Sequence, residues 1–229
     1  MASQSRYRYI LFDLNGTLAF DHDRFGDDQD YHATYRGIGG RDLGPDQLDG
    51  IIADSLGRLV DQYENGPFDH FPQYRDFVAE AGHLSQQELS LVEQTVAEHE
   101  IGQIPRDRVD LLRQLEKDHV LGIVSDLWAP AQLWRRQLAS TGLDVLFGTL
   151  VFSCEIGAVK PDPKPFRTAL DRLGADPAET LFVGNDLRRD VVGAHACGMH
   201  TAWLVGDEDS AAADTADYVL REMDEILRL

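Results

Sequence analysis

The stretch Tyr9–Leu18, YILFDLNGTL, constrains this chain more than any other. Tyr9, Ile10, Leu11 and Phe12 form an apolar run too short for a helix and stopped by Asn15-Gly16, which reads as a buried strand ending in a tight turn. In an open parallel sheet, ligands bind beyond the carboxyl ends of the strands, so such a strand delivers Asp13 to the place where the fold does chemistry. A buried strand gains nothing from a terminal charge unless a metal, a substrate or a hydrogen-bond network uses it. The competing reading, that Asp13 only caps the Asn-Gly turn, carries equal weight on this stretch alone.

From Arg106 onward, short apolar runs alternate with amphipathic stretches. Strands are expected at 120–124, ending in Ser125-Asp126, at 150–153, at 180–184, ending in Asn185-Asp186, at 200–205 and at 218–220. Helices are expected at 107–117, 130–140, 165–173 and 188–197, with a last one from about Glu222. That alternation defines an α/β class: a three-layer α/β/α, doubly wound parallel sheet. Between Phe20 and Gln103 the strand signal fades. Leu48, Ile51, Ile52, Leu56, Leu59, Val60 and Tyr63 recur at helical spacing, bounded by Gly44-Pro45 and Asn65-Gly66-Pro67. Further helices are expected at 73–81 and from Ser85, spaced from Glu88 as a capping box, to about His99. A polar loop at 21–40 leads into a short one around Tyr31–Tyr35. Residues 20–103 are therefore expected to form an inserted helical domain, and 1–19 with 104–229 the core domain, a division that suits 229 residues.

A net charge of −19 excludes nucleic-acid binding through a general basic surface. A small anionic substrate stays compatible, because local cations or a metal can reverse the potential inside one cleft. No run approaches the ~20 apolar residues of a membrane span, and Met1–Arg6 lacks the apolar stretch of a leader, so a cytoplasmic protein is expected. Cys154 and Cys197 lack metal-ligand spacing and read as reduced, buried thiols.

Three strands are thus expected to end in polar residues, at Asp13, Ser125 and Asp186, with Asp190 one turn further on and Lys160 in a loop after a fourth. A doubly wound sheet gathers these ends along one edge. Carboxylates crowded there repel one another unless a divalent cation joins them, and oxygen-only ligands suit Mg²⁺. An aspartate beside such a metal can act as a nucleophile. Ser125, at a helix-leading turn, suits a phosphate oxygen, and Lys160 offsets the carboxylate charge and contacts the transferring group. Taken singly, Ser125 as a helix cap, Lys160 as a solvated side chain and Asp186 with Asp190 as a helix start are equally good readings. Their convergence on one rim favours the functional one.

At these residues the chain resembles the haloacid dehalogenase-like hydrolases. Asp13-Leu14-Asn15-Gly16-Thr17 matches the family's first motif, Asp-x-Asp-Gly-Thr, except at Asn15; Ile123-Val124-Ser125 matches the second, Lys160-Pro161 the third, and Gly184-Asn185-Asp186 with Asp190 the fourth. The resemblance covers 7–19 and about 104–229, with the inserted helices standing where the family carries an all-helical cap. It implies a small phosphorylated metabolite as substrate and a monomer or homodimer. Asp13 would attack phosphorus. Mg²⁺ would be held by Asp13, the Asn15 carbonyl and Asp186, with Asp190 joining that set or orienting Lys160. Ser125, Asp126 and Lys160 would bind the phosphoryl group.

Asn15 departs from that pattern. The family's aspartate at this position protonates the leaving oxygen and then activates water, which an amide cannot do. Three readings follow: a substitution introduced to trap a complex, an enzyme with weak or different turnover, or a member that binds a phosphorylated ligand without hydrolysing it. A metal-free 2-haloacid dehalogenase is a further alternative, though those enzymes place a tyrosine at the position of Asn15. Asp21, His22, Arg24, Arg36, Arg41 and Trp128 are candidates for substrate contact, each weighed against a solvated or merely packed side chain.

Overall fold

Residues 6–26, 28–205 and 215–229 are described by the computed structural model. Residues 1–5, part of the stretch for which no leader is expected, lie outside them. Helices α1 (Tyr31–Gly37), α2 (Pro45–Asn65), α3 (Tyr74–Ala81) and α4 (Gln86–Glu100) separate the first strand from the rest of the sheet. They are followed by α5 (Arg106–Leu115), α6 (Gln132–Thr141), the single turn α7 (Ser153–Ile156), α8 (Pro163–Leu173) and the short α9 (Gly193–Ala196). Strands β1 (Tyr9–Phe12), β2 (Val120–Ser125), β3 (Phe147–Phe152), β4 (Thr180–Gly184), β5 (His200–Leu204) and β6 (Tyr218–Leu220) pair in parallel in the order β3-β2-β1-β4-β5-β6.

Alternation along the strands supplies both faces of the sheet. Ile10, Phe12, Leu121 and Ile123 pack with Leu111 and Leu112 of α5 and Trp134 and Leu138 of α6. Leu11, Val124 and Phe182 point the other way, onto Phe166, Ala169 and Leu170 of α8 and Ala194 of α9. Each fully buried side chain of this size contributes about 1.5–3 kcal/mol, and the two layers together fix the strand register. The register sets Phe12 beside Ile123 on one side and Val183 on the other. The chain leaves β1 toward β2 and returns at β4, so the crevice between β1 and β4 is the topological switch point where such sheets bind ligands.

The inserted helices share an apolar core of their own, with Tyr35, Leu48, Ile52, Leu59, Tyr74, Val78, Val92 and Val96 buried. This cluster also takes in Ala129 and Val159, from the loop after β2 and the loop leading to Lys160. The insertion thus packs directly against the rim where the strands end.

Local departures from the sequence expectations have identifiable causes. Ser85 Oγ accepts from the Glu88 amide at 3.2 Å, but the Glu88 carboxylate accepts from the Tyr35 hydroxyl, so only half of the capping box forms. The helix expected from Arg188 begins as a π-helical turn, Leu187–Val192, in which the Val191 amide reaches back to the Asp186 carbonyl at 3.3 Å. β3 starts three residues early, at Phe147, because residues 144–146 form a separate 3₁₀ turn. The last helix is a 3₁₀ turn over Met223–Arg228. Cys154 and Cys197 are free thiols, half-buried rather than buried as expected, since each lies on a single-turn helix or its end. Among the described residues no helix is long and apolar enough to cross a membrane.

Candidate active site

β1 ends at Phe12, and the Asp13 amide still donates to the Val183 carbonyl at 2.9 Å, so the Asp13 carboxylate stands at the mouth of the β1/β4 crevice. Lys160 Nζ lies 2.6 Å from Asp13 Oδ1 and 2.6 Å from Asp190 Oδ1. Residues 147 and 30 positions apart therefore share one ammonium group. Lys160 is only 3% exposed. Its backbone is fixed at both ends, its amide donating to Asp126 Oδ1 at 3.1 Å and its carbonyl accepting from Arg189 at 2.7 Å. Burial alone would lower the ammonium pKa, but the carboxylates of Asp13, Asp190 and Asp126 outweigh it and hold Lys160 charged. Burial raises the Asp13 carboxyl, with Lys160 pulling against it, and burial pushes Asp190 up to about 7.

Gly184 makes the approach of Asp190 possible. A Cβ at Gly184 would sit 2.3 Å from Asp190 Oδ2, the oxygen that accepts from the Asp186 amide at 3.0 Å. Both Asp190 oxygens are thereby committed, one to Lys160 and one to that amide. These contacts favour the lysine-holding role of Asp190, the second of the two roles the sequence leaves open for it.

Above the carboxylates lies a cavity of about 170 Å³. Asp13, Asn15, Asp126, Lys160, Asn185, Asp186 and Asp190 line it from the core, with Arg189 beside them. His22, Asp23, Tyr63, Glu100 and Trp128 close it from the other side. A larger groove, about 930 Å³, runs between α3, α4 and α6 and shares only Trp128 with it. The converging polar residues belong to the smaller space.

Six carboxylates line this space against two permanent cations, Lys160 and Arg189. Such an excess is stable only with a bound cation or with protons. No group of three or more His, Cys, Asp or Glu side chains among the described residues is placed as a ready-made ion cage. The donors that remain, the carboxylates of Asp13 and Asp186 with the backbone carbonyl of Asn15, are all hard oxygens, which fits a Mg²⁺-like ion that keeps several waters. Asp186 Oδ1 already accepts from the Arg189 amide at 2.7 Å, leaving its second oxygen for a ligand role.

Several expected residues meet here. Ser125 is buried at the end of β2, and its hydroxyl has no partner among the described residues, although it does not itself line the cavity. Asn15 does line it, and its amide oxygen is likewise buried and unpartnered. Asp126 accepts from the Lys160 amide and from Tyr63 Oη at 3.0 Å, so its carboxylate fixes the lysine loop. His22 and Trp128 reach the cavity; Asp21, Arg24, Arg36 and Arg41 are not among its lining residues. Arg24 instead donates to the carbonyls of Asp21, Glu98 and Ile101, tying together the two linkers of the insertion.

Three participants escaped the sequence reading. The Arg189 guanidinium, 6% exposed, lies 3.4 Å over the Tyr63 ring and donates to the Tyr63 carbonyl at 2.8 Å. It clamps the end of α2 to the lysine loop. In sequence Tyr63 is only one residue of a helical stripe; burial raises its hydroxyl well above the ordinary value. Glu100, 2% exposed, accepts from the Trp128 amide at 2.5 Å and the Ala129 amide at 3.2 Å, and burial pushes its carboxyl up to about 8. A glutamate at a helix end carries no such signal in sequence.

Residues 7–198 match the family model of the haloacid dehalogenase-like hydrolases, and the chain belongs to that family. It is accordingly a hydrolase. It is 28% identical to a glyceraldehyde 3-phosphate phosphatase of Pyrococcus furiosus over 98% of this chain and 93% of that protein. A shorter match, 36% identical, covers 40% of the chain and 44% of the pyrophosphatase PpaX of Bacillus velezensis. Among solved structures, a phosphatase of the same family from Thermococcus onnurineus superimposes with a TM-score of 0.61 at 27% identity, covering 96% of this chain and 97% of that one. A 2-haloacid dehalogenase from Pseudomonas syringae shares the fold, with a TM-score of 0.67 at 23% identity over 97% of both chains.

Proposed function

We propose that the protein is a Mg²⁺-dependent phosphomonoesterase of small phosphorylated metabolites. The observation that carries this reading is the Asp13–Lys160–Asp190 cluster, in which one buried ammonium is held 2.6 Å from the carboxylate that faces an acidic cavity. A phosphoryl group entering that cavity meets a nucleophile, a fixed cation and free oxygen donors on one side.

Asp13, Asp186 and the Asn15 carbonyl would hold the metal, which supplies positive charge to offset that of the phosphoryl oxygens. Lys160 binds a phosphoryl oxygen as negative charge shifts in the transition state, and Asp190 keeps its ammonium aimed. The Ser125 hydroxyl, buried without a partner just outside the cavity lining, would supply a further donor to a phosphoryl oxygen that reaches it. Asp13 attacks phosphorus, the bond to the leaving oxygen breaks, and an aspartyl phosphate forms that water then hydrolyses. Residues 20–103 act as a cap whose Tyr63, together with Trp128 from the loop after β2, excludes bulk water. The 170 Å³ cavity is smaller than a typical ligand pocket and suits a short phosphate ester better than a nucleotide. Two free thiols and the acidic surface support work in the cytoplasm, apart from nucleic acid.

Phosphate release from a panel of triose phosphates, phosphoserine, pyrophosphate and nucleotides, with Mg²⁺ and with EDTA, tests this reading. Release that requires Mg²⁺ and favours the short esters is expected. Binding without release, or metal-independent halide release from a 2-haloacid, overturns it.

A further inference from the structure

Asn15 leaves the proton transfers of this reaction without a titratable group at the usual place, yet several titratable side chains line the same cavity. Most of them are already committed. Asp126 holds the Lys160 amide and Tyr63, Asp190 holds Lys160 and the Asp186 amide, and the oxygens of Glu100 accept from the Trp128 and Ala129 amides. Tyr63 spends its hydroxyl proton on Asp126.

His22 differs. Its Nδ1 is hydrogen-bonded to Asp23 Oδ2 at 2.8 Å, while Nε2 has no partner among the described residues. Its side chain is 26% exposed and lines the cavity together with Asp13. The segment bearing it is built rather than loose. Phe20 and Gln103 exchange both backbone hydrogen bonds, at 2.9 and 2.7 Å, and the Asp23 and Arg24 amides donate to the carbonyls of Glu100 and His99 at 3.2 and 2.9 Å. His22 lies between these two pinned points. Its neighbours Asp21 and Asp23 both adopt left-handed backbone, φ 56° and 51°, a conformation unfavourable for a non-glycine residue. Gly102 lets the two linkers approach: a Cβ there would lie 2.5 Å from the Phe20 carbonyl oxygen and 3.0 Å from His22 Cβ. Strain of this kind persists where surrounding contacts over-determine it, and it clusters at functional sites.

We propose that His22, oriented by Asp23, is the proton-transfer residue of this site, taking over the task that Asn15 has no group to perform. The proposal rests on the phosphoesterase reading above. As Asp13 attacks and the phosphorus–oxygen bond of the ester breaks, the leaving oxygen takes the proton from His22 Nε2. In the second step Nε2 takes a proton from water, the resulting hydroxide attacks phosphorus, and the bond to Asp13 breaks to free the carboxylate and inorganic phosphate. His22 ends as it began, protonated. The groups facing His22 are Asp21 and Asp23 beside it, Asp13 and Lys160 from the core, and Glu100 from α4. The bond to Asp23 raises the imidazole above its ordinary 6.5 against the opposing effect of burial.

The test compares wild type, His22→Gln, Asp23→Asn and His22→Gln/Asn15→Asp on an alkyl phosphate and on p-nitrophenyl phosphate. His22→Gln should lose roughly 10²–10⁴-fold on the alkyl ester. On the nitrophenyl ester, whose leaving group needs no proton, it should give a burst of nitrophenolate followed by slow turnover. Asn15→Asp should restore turnover to His22→Gln. Asp23→Asn should move the falling limb of the pH profile to lower pH, and an NMR titration of the His22 ring in the resting protein should fall with it. Loss of less than threefold on both esters, or an unmoved titration in Asp23→Asn, overturns the role of His22. Absence of phosphate release from wild type and from Asn15→Asp alike overturns the phosphoesterase reading instead.

Discussion

The two sides of the cavity are assembled differently. On the sheet side, Asp13 and Asp186 stand within two residues of the ends of adjacent strands, and parallel register alone brings them together. On the opposite side, His22 arrives from a pinned linker, Tyr63 from the last turn of α2 and Glu100 from the last residue of α4. Their meeting depends on how four helices pack over the rim. Strand ends transmit position through the backbone ladder; helix ends transmit it through side-chain packing and a few buried polar bonds. The sheet side should therefore govern whether chemistry happens at all, and the helical side how well the site is held and how it responds to pH.

The largest effect belongs to the sheet side. Asp13→Asn should lower phosphate release by about 10⁴-fold or more, as removal of a covalent nucleophile does, with far-ultraviolet circular dichroism unchanged. Next comes the clamp between the two sides. Arg189→Met removes the donor to the Lys160 and Tyr63 carbonyls and leaves both buried without it. A stability loss of about 2–4 kcal/mol is expected by denaturant titration, with kcat falling more than KM rises, because Lys160 loses its support.

Glu100 sharpens the comparison through pH. Its carboxyl lies near 8 in the folded protein against an ordinary 4.5, so the folded state binds that proton more tightly than the unfolded chain. Its burial therefore weakens the fold progressively as pH rises from 4.5 to 8. Glu100→Gln, which keeps an acceptor for the Trp128 and Ala129 amides, should raise Tm at pH 8 and change it little at pH 5. The gain at pH 8 is worth up to roughly 2–5 kcal/mol. Tyr63→Phe should have the smallest effect, about 1 kcal/mol for the lost bond to Asp126. A larger loss there than for Arg189→Met would invert the ranking of the two contacts.

Much of the sheet side is legible in the sequence, because a four-residue apolar run ending in Asp13 can be read without knowing its neighbours, and the same holds for Ser125 and Asp186. Lys160 is legible because the chain holds few lysines and this one follows a strand. For Asp190 the sequence leaves two roles open, metal ligand or lysine holder, since the choice depends on the Gly184 backbone leaving room for both carboxylate oxygens to find partners. The helical side is nearly opaque. Glu88 had the spacing of a capping box, but Tyr35 lay close enough in space to take its carboxylate. Arg189 and Glu100 look like surface residues of helix ends until the insertion folds over them. Long-range contacts decide those positions, and periodicity carries no trace of them.

An Asp13 that attacks phosphorus carries the phosphoryl group during turnover. Rapid quenching during turnover of a phosphate ester with Mg²⁺, followed by borohydride reduction, converts an aspartyl phosphate to homoserine that peptide mass spectrometry can locate. Homoserine at position 13, absent when the ester is withheld, is the predicted result. Turnover that leaves Asp13 intact, or places homoserine at Asp126 or Asp186, would contradict the account.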